Sequence, residues 1–176
     1  IQGKGTFVTE GKISYSLGHG LLSFAESLDN QHISYTTRVL TSQIREANKE
    51  IASKLGLTIG DEYLYLKRIR YVEGEKVMLI ENRVNMAACP NIENMDFNNI
   101  SLFVAIEQKA NTTIKYSQSR YAARVVGKDR AKILEVPEDS PVLHLEQLVF
   151  LANNTPVEFG NVWLKANKYY LGTVLQ

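Results

Sequence analysis

Arg68 and Arg70, in the segment EYLYLKRIRYV, are the side chains with the clearest potential for binding chemistry. The segment continues through Glu73-Gly74 into KVMLIENRV, a pattern that predicts a β-hairpin with a two-residue turn. Because side chains alternate along a strand, this hairpin places Arg68, Arg70 and Glu81 on one face among aliphatic residues. The cluster predicts a binding site, and an exposed arginine–glutamate pair of little energetic value is the alternative.

The register of this hairpin decides which side chains meet. A turn at residues 73–74 predicts that Arg70 lies opposite Val77 and Arg68 opposite Leu79. A slip of one residue would move the second strand's side chains to the opposite face.

A second predicted hairpin, VLHLEQLVFLA and TPVEFGNVWLKA, turns at residues 153–154. Its geometry predicts Val149 opposite Glu158 and Gln147 opposite Gly160. Alternation then gives one face four residues: Glu158, Gly160, Val162 and Leu164. A carboxylate in this apolar strand requires a partner, either an arginine or a ligand hydroxyl or amine.

Two predicted helix starts add possible anion sites. GLLSF leads into a helix in which Ser23 and Glu26 form a capping box, and Ser101 begins the helix of ISLFVAIE. The unpaired amides and the dipole of a helix N-terminus attract anions. Capping alone explains either serine equally well.

The composition excludes several classes of function. The formal net charge is +1, from 20 basic and 19 acidic residues, which is too even for a nucleic-acid-binding face. Cys89 is the only cysteine, so no internal disulfide is possible and a reducing, cytoplasmic setting is predicted. No histidine lies near Cys89 in the sequence, so a structural role is expected for this thiol. No metal spacing, cofactor motif, catalytic triad or transmembrane run is found, so no metal, cofactor or membrane association is predicted.

The order of predicted elements suggests an internal repeat. Strand 34–44 and helix 45–56 precede the first hairpin, and a similar strand and helix precede the second. Leu55 matches Leu134 and Leu64 matches Leu143, a displacement of 79 residues. Two related halves predict one mainly antiparallel sheet covered by helices, with chance similarity of two ordinary units as the alternative.

Several stretches resemble a known family. GKGTFV resembles the wing of the winged helix-turn-helix in GntR-type bacterial transcription regulators. From about residue 13 onward, the chain resembles the UTRA effector-binding domain of their HutC subfamily, through GLLSF, RIRYVEGEKVMLIE, ISLFVAIE and AKILEVPEDSPVLHLEQLVFLANNTPVEFGNVWLKANKYYL. The resemblance implies a wing remnant at 1–8, a linker at 9–20 and an effector-binding and dimerisation domain at 21–176.

The resemblance also implies a fold and a ligand site. The fold is an α/β (α+β) chorismate-lyase-like one, a mainly antiparallel sheet with flanking helices. In phosphosugar-sensing relatives, the phosphate lies at the helix start and the hairpin arginines, which correspond here to Leu22, Ser23, Phe24, Arg68 and Arg70. The implied sugar-facing positions are Glu81, Ser101, Phe103, Glu158 and Leu164.

This sequence departs from the family pattern at the sugar-facing end. Leu164 and Phe103 occupy positions where aromatic hydroxyls are usual, and Leu22 one where threonine is usual. Lys165 and Lys168 replace two arginines. The expected ligand is therefore anionic and less polar at its other end.

The resulting expectation is the effector-binding half of a cytoplasmic repressor that forms a homodimer and contacts operator DNA through a separate winged-helix domain. Effector binding would reorder the connection from Thr9 to Leu22 by shifting a population. One alternative is a chorismate-lyase-like enzyme acting on a small carboxylate, for which the wing-like GKGTFV would have no use. A dimerisation module without a ligand is another, and no metabolite would raise its melting temperature.

Overall fold

A computed structural model describes residues 13–16 and 28–172. Residues 28–30 are helical, and a short 3₁₀ helix spans Ile92–Asn94. The α-helices are α1 (Lys49–Leu55), α2 (Leu102–Ala110) and α3 (Lys128–Leu134). The strands are β1 (Ile13–Ser16), β2 (Tyr35–Glu46), β3 (Glu62–Val72), β4 (Glu75–Asn85), β5 (Ile114–Val125), β6 (Pro141–Leu151), β7 (Pro156–Lys165) and β8 (Tyr169–Gly172).

Six strands form one antiparallel sheet in the order β2-β3-β4-β7-β6-β5, and β1 pairs in parallel with β8. The predicted fold class is confirmed. The internal repeat is present in the fold too, because adding 79 positions to the bounds of β2, α1 and β3 gives those of β5, α3 and β6. The two halves meet at the central pair β4 and β7, where Glu81 lies opposite Asn161.

Helix α1 begins later than the predicted helix 45–56. Strand β2 stays paired with β3 as far as Glu46, so the first two predicted helical residues belong to the strand. Asn48 then caps the helix, its side chain accepting a hydrogen bond from the Ile51 amide at 3.0 Å. Gly56 ends the helix as predicted, because its φ of 64° is in the left-handed region that glycine adopts without strain.

Helices cover both faces of the six-stranded sheet. Helix α2 packs on the side that carries Arg68, through Leu102, Phe103 and Ile106; we call this side the pocket face. Helices α1 and α3 pack on the side that carries Lys67, which we call the reverse face. Across residues 13–16 and 28–172, no helix has the length and apolar character needed to cross a membrane.

Candidate functional site

The first hairpin has the predicted turn but a different register. Val72 pairs with Glu75, as expected from a two-residue turn. A bulge then leaves Val77 without a partner, so that Arg70 lies opposite Met78 and Arg68 opposite Ile80. The predicted partners Val77 and Leu79 were therefore wrong.

This shift moves Glu81 to the reverse face, so the predicted cluster of Glu81 with the two arginines was wrong. Its Oε1 accepts a hydrogen bond from the Tyr65 hydroxyl at 3.0 Å and lies 3.2 Å from Lys67 Nζ. Its Oε2 accepts from Trp163 Nε1 at 3.3 Å and lies 3.7 Å from Arg130 Nη2. Burial alone would raise the pKa of Glu81, but Lys67 and Tyr65 hold it below its usual value.

Asn82 takes the place on the pocket face that the sequence assigned to Glu81. Its Oδ1 accepts a hydrogen bond from Arg68 Nη2 at 2.8 Å, and its Nδ2 donates to Glu158 Oε1 at 2.8 Å. The side chains of Arg68, Asn82 and Glu158 thus form a chain across β3, β4 and β7. Sequence reasoning missed Asn82 because the predicted register pointed it away from the arginines.

The second hairpin has the predicted register next to its carboxylate. Val149 lies opposite Glu158 and Gln147 opposite Gly160, as expected. A Cβ at Gly160 would collide with Glu158 Oε1 and lie 3.2 Å from Asn82 Nδ2. The glycine leaves the space that the buried carboxylate occupies.

Between the sheet and the N-terminus of α2 is a cavity of about 50 Å³. It brings together five of the predicted site residues: Arg68, Arg70, Ser101, Phe103 and Glu158. Asn82, Gln147 and the apolar side chains of Ile80, Leu102 and Val162 complete the lining among the described residues. We call this space the arginine pocket.

The other predicted site residues are not part of this lining. Leu164 is fully buried on the pocket face, in the core that includes Met78 and Leu145. Leu22, Ser23 and Phe24 lie outside the described residues, as do the predicted wing and linker except for 13–16.

Within the part of the chain that the structure describes, two buried polar atoms of the arginine pocket have no hydrogen-bond partner: Arg68 Nε and Ser101 Oγ. Ser101 stands at the N-cap position of α2, yet its side chain makes no capping hydrogen bond. The capping alternative therefore does not account for this serine. Unpaired buried donors are costly, so an oxygen atom that entered this cavity would be stabilised by accepting hydrogen bonds from them.

The arginine pocket carries positive charge at neutral pH. Burial, and secondarily the neighbouring Arg70, lowers the pKa of Arg68 to about 9, so this guanidinium is still protonated at pH 7. Burial raises the pKa of Glu158 to about 7, against the opposing effects of the Asn82 hydrogen bond and Arg68. With two arginines and a half-neutralised carboxylate, the pocket attracts an anion.

The substitution Glu158→Gln is expected to remove the contribution of Glu158 to the pH dependence of the free energy of unfolding. The raised pKa means that the folded state binds the proton more tightly, so stability from this group is present below about pH 4.5 and lost as the pH rises through 7. Glutamine keeps an acceptor for Asn82 without titrating. As the pH rises from 5 to 8, the free energy of unfolding of the variant should therefore increase relative to that of the wild type by at most about 3 kcal/mol. Urea unfolding at both pH values measures this change. If the free energies of unfolding of the two proteins differ by the same amount at pH 5 and pH 8, the raised pKa of Glu158 is contradicted.

Cys89 is a poor candidate for catalysis. It is fully buried, and burial raises the pKa of its thiol to about 12. Over the described ranges 13–16 and 28–172, no three His, Cys, Asp or Glu side chains are grouped so as to hold a metal ion.

Comparison with known proteins places this geometry in a family. The model of the UTRA domain matches residues 30–170. The mannosyl-D-glycerate transport/metabolism system repressor MngR of Escherichia coli K12 is 23% identical over 176 residues, which are 100% of this chain and 72% of that protein. The probable transcriptional regulator PhnF of the same strain is 27% identical over 148 residues, 84% of this chain and 60% of that protein. The chain therefore spans only part of these relatives.

Solved structures agree on the fold. The crystal structure of a candidate regulator from Escherichia coli CFT073 is 56% identical, with a TM-score of 0.73 over 78% of this chain and 100% of that one. The effector domain of PhnF from Mycobacterium smegmatis is 18% identical, with a TM-score of 0.86 over 93% of this chain and 99% of that one.

Proposed function

Because the chain belongs to the UTRA domain family of GntR-type transcription regulators, we propose that it senses a small anionic metabolite and thereby controls operator binding. The observation that carries this proposal is the pair of unpaired buried donors, Arg68 Nε and Ser101 Oγ, in a positively charged cavity. An oxyanion between them would satisfy both donors.

The groups around the arginine pocket suit an acidic ligand group. Arg68 and Arg70 are each only 4% exposed, so their interaction with an anion is weakly screened. Helix α2 directs its N-terminus at the cavity through Ser101 and Leu102, and its dipole favours negative charge there. Glu158 offers a hydrogen-bond acceptor, or a donor when protonated, to a hydroxyl or amine of the same ligand.

The name of one relative supports a carbohydrate effector, and the names of two relatives support a repressor role. MngR is named as the repressor of a mannosyl-D-glycerate system, and D-glycerate is a carboxylate. NagR of Bacillus subtilis, 21% identical over 169 residues, is named as an HTH-type transcriptional repressor. We infer that the effector of this chain is a sugar phosphate or sugar acid that relieves repression.

We further propose how a whole regulator that contains this domain would respond to its effector. The domain would form a cytoplasmic homodimer, with operator DNA contacted by winged-helix domains outside this chain. Effector binding would favour one of two spacings of those domains by shifting a pre-existing equilibrium. The predicted connection from Thr9 to Leu22 lies largely outside the described residues.

A thermal-shift screen of this chain with sugar phosphates, sugar acids, amino sugars and neutral sugars tests the proposal. A ligand at 100 times its Kd stabilises by about 2.7 kcal/mol, which raises the melting temperature of a chain of this size by roughly 5–10 °C. We expect anionic carbohydrates to produce such a shift and Arg70→Ala to abolish it. Shifts only with neutral compounds would contradict an anion sensor, and turnover of chorismate would favour the enzyme.

A further inference from the structure

Glu158 is a buried carboxyl group on the wall of the arginine pocket. It is 1% exposed and lines the cavity together with Arg68, Arg70 and Ser101. The proposed function places an anion in this cavity. Because like charges repel one another strongly in a buried site, the charge of Glu158 affects how tightly that anion binds.

The charges of the arginine pocket balance a divalent anion when Glu158 is neutral. Arg68 and Arg70 supply two positive charges, which a dianion cancels. An ionised Glu158 would leave one extra negative charge in the protein interior. An uncompensated buried charge is costly, and a carboxyl group avoids that cost by binding a proton.

The hydrogen bonds of Glu158 are compatible with either charge state. Its Oε1 accepts from Asn82 Nδ2 at 2.8 Å, and Asn82 Oδ1 accepts from Arg68 Nη2 at 2.8 Å. Asn82 therefore stands between the carboxyl group and the guanidinium, which weakens their attraction relative to a direct ion pair. A proton on Oε2 leaves the hydrogen bond from Asn82 intact and can be donated to an oxygen of the ligand.

The charged groups around Glu158 leave it as the group that titrates near neutral pH. Burial raises the pKa of Glu158 to about 7, against the opposing effects of the Asn82 hydrogen bond, Arg68 and Arg83. Burial lowers the pKa of Arg68 to about 9, so Arg68 stays largely protonated up to pH 8. The side chains that face Glu158 from the neighbouring strands and from α2 among the described residues do not ionise in this range: Val84, Gln147, Val149, Ser101, Leu102 and Phe103.

We propose that Glu158 takes up a proton when an anion enters the arginine pocket, so that effector binding strengthens as the pH falls. This inference rests on the proposed function and adds a regulation of the same site. At a fixed effector concentration, a regulator that contains this domain would respond more fully at pH 6 than at pH 8.

The pH dependence of sulfate binding tests this coupling. Sulfate remains a dianion throughout the range from pH 5.5 to 8, so a change in its Kd comes from the protein. The Kd is measured by NMR titration of the ¹⁵N-labelled chain at constant ionic strength. In the wild type it should be about five- to tenfold higher at pH 8 than at pH 5.5, as expected if the bound anion raises the pKa of Glu158 by at least about one unit.

Two matched substitutions assign the effect to Glu158. Glu158→Gln should reduce the ratio of the two Kd values to less than about twofold, because glutamine does not titrate. Glu146→Gln is the control, since Glu146 lies on the neighbouring strand β6 but on the reverse face, 3.1 Å from Lys54 Nζ. This control should keep the ratio of the wild type.

The ionisation of Glu158 can also be followed directly in the wild type, which provides a test even if Glu158→Gln unfolds. In a ¹³C-labelled chain, the chemical shift of the Glu158 carboxyl carbon reports its charge. The midpoint of its titration should lie near pH 7 without sulfate and at least about one unit higher with saturating sulfate.

The inference is overturned if the wild-type Kd is the same at pH 5.5 and pH 8, if Glu158→Gln retains the pH dependence, or if sulfate leaves the midpoint of Glu158 unchanged. Failure of sulfate to bind the wild type at pH 5.5 would instead count against the proposed function.

Discussion

Replacing Arg68 with methionine should weaken the binding of an anionic effector at least about 100-fold while the chain stays folded. Arg68 is fully buried, and its unpaired Nε is available to the ligand. A hydrogen bond to a charged group contributes about 1.5–3 kcal/mol, so losing the bond from Nε together with the attraction between the buried guanidinium charge and the anion accounts for this factor. Calorimetric titration with the strongest ligand of the screen measures the change.

The fold should tolerate Arg68→Met. Methionine is long and apolar enough to fill most of the space of the arginine stem, and it removes a charge whose burial is costly. Without Arg68, the pKa of Glu158 should rise further, so this carboxyl becomes neutral instead of remaining as an unpaired buried charge. Circular dichroism and urea unfolding should therefore show a folded, cooperative chain.

Two variants of the reverse face serve as controls for Arg68→Met. Arg83 lies one position after Asn82 on β4 and faces the ring of Tyr65, with 5.4 Å between guanidinium carbon and ring centroid. Arg83→Met and Glu81→Gln should both keep wild-type affinity, because these side chains lie on the other side of the sheet. A loss in Glu81→Gln as large as that in Arg68→Met would contradict the observed register.

The substitution Gly160→Ala should destabilise the chain by about 1–3 kcal/mol, the usual cost of overpacking a core. In an open strand position the same change is expected to stabilise by about 0.4–1 kcal/mol, because alanine restricts the unfolded chain. The sign reverses here because the new Cβ collides with Glu158 Oε1. Moving that carboxylate also disrupts its hydrogen bond with Asn82, so anion affinity should fall together with stability.

A double-mutant cycle tests whether the collision with Glu158 causes the loss of stability in Gly160→Ala. In the background Glu158→Ala the colliding oxygen is absent, and Gly160→Ala should then cost less than about 1 kcal/mol. An equal cost in both backgrounds would show that the strain arises elsewhere on β7. Urea unfolding of the four proteins at pH 7 provides the comparison.

The sequence was sufficient to predict the sheet and its second hairpin because those features depend on local patterns. Equivalent elements recur 79 residues apart, and the turn before β7 sets the pairing of Val149 with Glu158. The register of the first hairpin was not predictable in the same way. Val77, Met78, Leu79 and Ile80 are all buried, so both faces of β4 are apolar and the pattern does not distinguish two registers.

The alternation of side chains along a strand was enough to predict part of the site. Arg68 and Arg70 share a face in either register because they lie two positions apart on one strand. The choice between Glu81 and Asn82 as their partner depends on a single bulged residue, Val77. The unpaired Ser101 hydroxyl could not be predicted, since it requires the position of α2 over the sheet.

The most direct test of an anion-binding arginine pocket is the position of bound selenate, located by anomalous diffraction from crystals of this chain. We expect a selenate in the arginine pocket, with its oxygens within about 2.7–3.2 Å of Arg68 Nε and Ser101 Oγ. Selenate bound elsewhere on the protein, with that pocket empty, would contradict it.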